Sequence, residues 1–416
     1  MNKKDDLQGK IELFHQYLRK NIVMEKLRYL KKFSNFKEVY SDLRNDKDDV
    51  STTVSKTLVH GIKQNIIDEY DLDELLFLIL EDSLFNSFLY KINSQSVLDS
   101  HTQDSIQELI NSWEVPSRQE ILSNIGTTRS TKDFIISGYR IADDENGLES
   151  LRLLLLDNKV INISVKNEDP KEIIFPTIVE IDFRRNLLHI RLRDVDNIIR
   201  ESEKISTMSG RIQNTLDFIS SLKPSINYEK FENFKSTLFD LEEYLLSTKR
   251  NSALQKLEEF EDEIASFTDK VCQKFTPPSN HEISPRNYIN TGVLSIIATT
   301  LGTNELGDVV GIRFKDTQAE EKKFAEITIR DSGNKCISTS NLYWLNLSVL
   351  QTTEKVEFLK ILTHLNSGVA FVNLEFALET ANIRILQRNF YDGEDSTKPS
   401  QEKYDDFLDF LLPYLS

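Results

Sequence analysis

The segment Ile173–Arg193, IIFPTIVEIDFRRNLLHIRLR, decides the fold of its region. Apolar and polar residues alternate in both halves around Arg185-Asn186, which is the period-two signature of a β-hairpin. Val179, Ile181 and Phe183 share one face of the first strand, and Leu188, Ile190 and Leu192 share one face of the second. Apolar residues must stay on a common face, because a slip of one residue would turn all of them over. The pattern therefore predicts an even-numbered loop, with Phe183 near Leu188, Ile181 near Ile190 and Val179 near Leu192. On the other face Asp182 is expected to meet His189, and Glu180 to meet Arg191, as opposite-charge pairs on a solvent-facing hairpin surface.

Outward from the hairpin, residues 132–198 keep the same period, with expected strands at Phe134–Ile141, Leu151–Leu156, Val160–Val165, Ile173–Phe183 and Leu187–Arg193. Leu151–Leu156 is apolar on both faces except for Arg152, which suits a central strand. This region reads as an antiparallel β-meander. Residues 1–126 read as a helical domain. In it, Asp71 is expected to cap a helix whose stripe runs through Leu72, Leu75, Leu76, Ile79, Leu80, Leu84, Phe88 and Ile92. Gly126–Thr131 forms a polar break.

Residues 199–275 carry near-heptad spacing: Phe231, Phe234, Leu238, Leu241 and Leu245, then Ala253, Leu257, Phe260, Ile264, Phe267 and Val271. With a break at Ser247–Ser252, this predicts a helical hairpin or coiled-coil-like arm. The many phenylalanines favour an intramolecular bundle over a dimeric zipper. Thr276–Asn280 is a proline-stiffened linker. Residues 284–416 read as a mixed α/β region with a helix from Ser284-Pro285, strands at Val309–Phe314, Phe324–Ile329, near Cys336 and at Tyr343–Leu347, a helix over Thr353–Leu365 and a terminal helix at Tyr404–Leu415. Residues 369–390 fit either a hairpin or a helix. The fold class expected is α+β, in the four parts 1–126, 132–198, 199–275 and 284–416.

The chain has 416 residues, 39% hydrophobic and 28% charged, ordinary for globular protein. Its formal net charge of -16 opposes nucleic acid and anionic membranes over most of the surface. The N-terminal stretch is an exception, with Lys20, Arg28, Lys31 and Lys32 interleaved with Tyr17, Tyr29, Phe33 and Phe36. Such a face suits phosphates or an acidic partner, and Arg184, Arg185 and Arg191 would extend it onto the sheet. The counter-reading is a solvated helix face balanced by Glu12, Glu25 and Glu38. Cys272 and Cys336 lack motif spacing, which suggests a reducing compartment. With no apolar leader or bilayer-length apolar run, a cytoplasmic protein is expected. The richness in Lys, Asn and Ile fits an AT-rich microbial genome.

Motifs for chemistry are sparse. Gly302-Thr-Asn-Glu-Leu-Gly307 has phosphate-loop glycine spacing, but Asp308-Val309 stands where Lys and Ser or Thr are needed. Glu12-Leu-Phe-His15 lacks the second pair of a di-iron site. The six histidines and two cysteines form no local metal motif, and no metal or other cofactor is expected. Glu180 and Asp182 share a strand face, as carboxylates do in Mg²⁺-dependent nucleases, although the lysine expected after them is missing; they are the candidate catalytic residues. Two readings follow. The first is a non-catalytic binding or scaffolding subunit of a cytoplasmic microbial multi-protein system, of the nucleic-acid-handling or phage-defence kind, with protein partners or further copies of itself. The second is a Mg²⁺-dependent nuclease or a nucleic-acid-binding protein using the basic face.

Overall fold

Two aspartates start the helix that organises the first half of the chain. In the computed structural model Asp68, not Asp71, is the N-cap of Glu69–Glu81. Its side chain accepts the Asp71 amide at 2.8 Å, and Asp71 accepts the Asp68 amide at 3.2 Å, a reciprocal capping box. The structure describes residues 3–99, 101–125, 133–144, 147–165, 169–199, 201–275, 284–301, 309–319, 323–331, 333–387 and 398–415. The Gly126–Thr131 break, the Thr276–Asn280 linker and the Gly302–Gly307 loop lie outside them. The α+β class holds, with helices and large antiparallel sheets. The chain forms two compact units, Met1–Lys230 and Phe231–Ser416, so the segment 199–275 contributes helices to both.

Unit 1 begins with α1 (Lys3–Glu12), α2 (Lys20–Tyr29), α3 (Phe36–Leu43), α4 (Val50–Lys63) and α5 (Glu69–Glu81). The stripe expected to continue α5 is instead a strand, β1 (Asn86–Ile92). The helix stops because its end is capped from the sheet: Arg191 donates to the carbonyls of Glu81 and Leu84, at 2.8 and 3.0 Å. After β1 come α6 (Gln95–Leu98), α7 (Gln103–Ser112) and α8 (Ile121–Asn124). Strands follow at β2 (Phe134–Asp144), β3 (Gly147–Asp157), β4 (Ile161–Ile163), β5 (Lys171–Ile173), β6 (Pro176–Asp182) and β7 (Leu187–Leu192), so the single strand expected at Ile173–Phe183 is divided into β5 and β6, which belong to different ladders. The unit closes with α9 (Glu203–Ser206), α10 (Met208–Ser221) and β8 (Tyr228–Lys230).

The strand order is β2-β3-β6-β7-β1, antiparallel throughout, with β8 also paired to β1 and β4-β5 as a separate ladder. β2 carries a bulge between Ile136 and Gly138, where a side chain at 138 would collide with the Gln119 amide.

The hairpin keeps its predicted faces but not its register. Ile181 pairs with Leu188, Val179 with Ile190 and Glu180 with His189. The pairing is thus displaced by two residues and the loop is the four-residue Phe183–Asn186. Asp182 causes this. Its carboxylate accepts the Arg185 amide at 2.9 Å and the Arg185 guanidinium at 2.5 Å, folding the loop over itself, and Asn186 completes it at φ 56°. The polar face is not solvent-facing either. β6 and β7 are buried along their whole length. Leu154, Leu156 and Ile178, from the face that carries Glu180, join the core of α1–α5 and α8.

Unit 2 contains α11 (Phe234–Glu258), α12 (Glu261–Lys274), α13 (Pro285–Leu301), β9 (Val309–Ala319), β10 (Lys323–Arg330), α14 (Asn341–Leu345), α15 (Leu347–Thr353), β11 (Phe358–Leu365), β12 (Gly368–Ala377), β13 (Thr380–Ile385) and α16 (Gln401–Leu411). Its strands run antiparallel in the order β10-β9-β11-β12-β13. Three expectations fail here. Ser247–Ser252 does not break the helix, since Arg250 is anchored inside it by internal pairs. Tyr343–Leu347 is helical, following a 3₁₀ turn at Ile337–Thr339. Thr353–Leu365 is not one helix: Glu354 adopts a left-handed conformation that ends α15, and Phe358–Leu365 completes a ladder between β9 and β12. The 369–390 ambiguity resolves as a hairpin, turned by Leu378 and Glu379 with φ of 54° and 62°, as a two-residue primed turn requires.

Asp73 of α5 is buried and accepts the Leu122 amide at 2.9 Å, tying α5 to α8. Burial pushes its carboxyl up to about 7. Between the ordinary carboxylate range and pH 7 the folded protein therefore holds a proton that the unfolded chain releases. This contribution is complete in acid and declines as pH rises, by roughly 1.4 kcal/mol per unit over that interval. Asp157, also raised to about 7 by burial, titrates in the same window. Asp73→Asn keeps the acceptor for Leu122 without the titration. Denaturation at pH 4 and pH 8 should show it gaining on the wild type only at the higher pH, with the Asp157 slope remaining.

Candidate functional site

The groups that the sequence offers for chemistry converge in unit 1, between α5 and the sheet. Arg152 on β3 donates to Glu180 Oε1 at 2.8 Å and to Glu81 Oε1 at 3.0 Å. Arg191 on β7 donates to Glu180 Oε2 at 2.9 Å. Arg140 on β2 continues the chain, donating to Glu81 Oε2 at 2.9 Å and to Glu74. Arg191 and Arg140 also lie over the rings of Phe85 and Phe77, at 4.8 and 4.9 Å. The ring of His189 sits 3.8 Å from both Glu180 and Asp182. Burial alone would raise the Glu180 carboxyl, but Arg152, Arg191 and His189 overcome it and hold Glu180 well below the usual range. Burial also lowers the His189 pKa, the flanking acids Glu180 and Asp182 offsetting only part of that.

Both Glu180 oxygens accept from guanidiniums and both Asp182 oxygens accept from Arg185, so each carboxylate is engaged by buried arginines. Among the described residues no group of three His, Cys, Asp or Glu side chains is arranged to hold a metal ion. Arg185 and Arg191 are buried with these partners, so they do not extend a basic surface.

The other predicted basic residues lie elsewhere. Arg28, Lys31 and Lys32 are exposed around the end of α2, beside Tyr29 at 72% exposure. Lys32 is paired with Asp71 at 3.0 Å, and Lys20 lies over the Tyr40 ring at 4.3 Å. Arg184 is partly exposed and lines a shallow cavity of about 510 Å³ with Asp99, His101, Glu149, Phe183 and Asn186. Glu149 lies 3.8 Å from Arg184, so the hollow presents both signs of charge.

Two features of unit 2 escape a sequence reading. Glu242, Arg250 and Tyr343 form a buried triad: Tyr343 donates to Glu242 Oε1 at 2.6 Å, and Arg250 donates to Glu242 Oε2 at 2.5 Å and to the Tyr343 hydroxyl at 2.9 Å. Burial and the neighbouring carboxylate raise the Tyr343 phenol well above its ordinary range. These residues are 101 positions apart at their widest, and no spacing announces them. The second feature is α12. Its heptad pattern suggests a buried seam, yet Ile264 is its sole buried described residue, while Phe260 (45%), Phe267 (56%) and Phe275 (69%) are exposed. Acids flanking each apolar step were the available signal.

Glu180→Ala would leave the buried Arg191 guanidinium without its carboxylate and Arg152 with Glu81 alone, and should cost about 3–5 kcal/mol in equilibrium unfolding. Asp133→Ala, which removes the exposed pair with Lys204, should stay within about 1 kcal/mol of the wild type. Compared with protein-family models and with curated proteins, the chain matches none.

Proposed function

We propose that this chain is a non-catalytic binding or scaffolding subunit of a cytoplasmic assembly, and that its main contact surface is the phenylalanine-bearing face of α12. The observation carrying this reading is the exposure of Phe260 and Phe267, two turns apart on one helix face, with Phe275 just beyond its last turn. Single exposed apolar residues are ordinary, but an exposed phenylalanine within α12 together with one at each of its caps has the composition of an interface. The internal pairing of Glu180, Asp182 and their arginines supports a non-catalytic role, because it occupies the groups otherwise best suited to acid–base or metal chemistry. Among the described residues no helix is long and apolar enough to cross a membrane. Phe260→Ser/Phe267→Ser should leave circular dichroism and melting unchanged while abolishing the association of the purified full chain with its partners. Unaltered association would refute the reading.

A second reading has its own observation: Tyr29 stands exposed between Arg28 and Lys31, an aromatic flanked by cations. That arrangement suits single-stranded nucleic acid, with a base stacked on the ring and phosphates on the cations. It requires that affinity for an oligonucleotide fall steeply with salt and that Arg28→Ala/Lys31→Ala flatten the slope. Binding that ignores salt would exclude it.

A further inference from the structure

The geometry points to a specific occupant for the α12 face: a second copy of this chain, docked antiparallel through the same helix. This rests on the reading of α12 as the contact surface and goes further, by naming the partner and its orientation. The argument comes from the residues that share the Phe267 face. Glu263 stands four positions before Phe267 and Lys270 three after it; Phe260 stands seven before and Lys274 seven after. At 3.6 residues per turn these steps keep all five on one side of the helix.

A two-fold axis near Phe267 brings the two Phe267 rings together. It sets Glu263 of each copy against Lys270 of the other, and Phe260 against Lys274. Every contact is made twice, as an isologous interface requires. The pairs are opposite charges and cation over ring, both attractive. A parallel arrangement would set Glu263 against Glu263 and Lys270 against Lys270. It would also superpose the two acidic first turns, each with Glu261, Asp262 and Glu263. Antiparallel packing opposes the two helix dipoles and brings each acidic first turn towards the other copy's basic last turn, which contains Lys274. Glu261 already meets Arg286 within its own unit, which leaves Glu263 as the acid available on the Phe267 face.

The helix is short. Fourteen residues at about 1.5 Å each give a strip roughly 21 Å long and about 10–12 Å wide, on the order of 200–250 Å², well below the ~800 Å² per partner typical of a stable complex. The dimer is therefore concentration-dependent and salt-sensitive, and a covalent trap is the suitable probe. Cys272 is exposed and is first replaced by serine; Cys336 is buried and stays. In this background Glu263→Cys and Lys270→Cys are prepared separately as full-length chains. In the antiparallel dimer, position 263 of one copy faces position 270 of the other, whereas like positions stand about 9–12 Å apart along the axis. A mixture of the two variants should form a disulfide dimer under mild oxidation, far exceeding either variant alone and a Lys355→Cys collision control. The mixed pair keeps one native Glu263–Lys270 contact, so the trap does not destroy what it measures. Adding Phe267→Asp to both chains should return the yield to the control level.

Efficient linking by either variant alone would replace the antiparallel arrangement with a parallel one, and yields at the collision level would remove the second copy as occupant. The broader reading is tested apart from this, in the same preparations. If no trapped dimer forms yet Phe260→Ser/Phe267→Ser still abolishes association with another protein, the self-pairing falls and the contact surface stands. If that variant changes nothing either, both fall.

Discussion

Unit 1 depends on one constraint: the guanidinium of Arg191, fully buried, must find protein acceptors in place of water. It does so by joining two levels of structure at once. Its Nη1 reaches Glu180 across the β6–β7 ladder, while its Nη2 reaches the Glu81 carbonyl that ends α5 and its Nε the Leu84 carbonyl in the turn before β1. Helix ends leave carbonyls without intrahelical partners, and a cation there is favourable to the helix dipole. The same side chain thus terminates a helix and sets where that helix lies on the sheet. Arg152 and Arg140 extend the network through Glu81, so four strands and one helix share it.

Such a lattice contributes less to net stability than its number of bonds suggests. Removing several charges from water costs several kcal/mol apiece, and mutual attraction offsets much of that without greatly exceeding it. What the lattice supplies is discrimination between arrangements. In unit 2, Glu242, Arg250 and Tyr343 play the corresponding part. They hold the middle of α11 continuous through a Ser-Thr-Lys-Arg-Asn-Ser stretch whose composition favours a turn, and they bind that helix to α14.

The elements that sequence patterning reads well are those in which local period and tertiary demand coincide. The faces of β6 and β7, the central position of β3 and the α5 stripe through Leu80 are of this kind. Patterning fails where a long-range partner overrides the local signal. Phe88 and Ile92 continue the spacing of α5, but the chain has already left the helix to pair with β7. The hairpin register is displaced because an alternating pattern is satisfied equally by any even shift, and the choice among shifts rests with Asp182 and its hold on Arg185. The candidate site divides along the same line. Glu180, Asp182, Arg185 and Arg191 are identifiable as a charged constellation, but alternation with apolar residues reads as one wet face and one dry face. That reading has no means of showing that α1–α5 cover the wet one. The exposure of Phe260 and Phe267 is hidden for the converse reason: a heptad step says which residues share a side, and is silent on whether anything lies against it.

The dual role of Arg191 bears on how this protein can diverge. Glu81, Arg152, Glu180 and Arg191 come from four separate elements, and all four are buried, so the loss of any one leaves a buried neighbour short of a partner. A change at one of these positions is therefore best tolerated when its partners change with it, as in a wholesale exchange of the quartet for hydrocarbon.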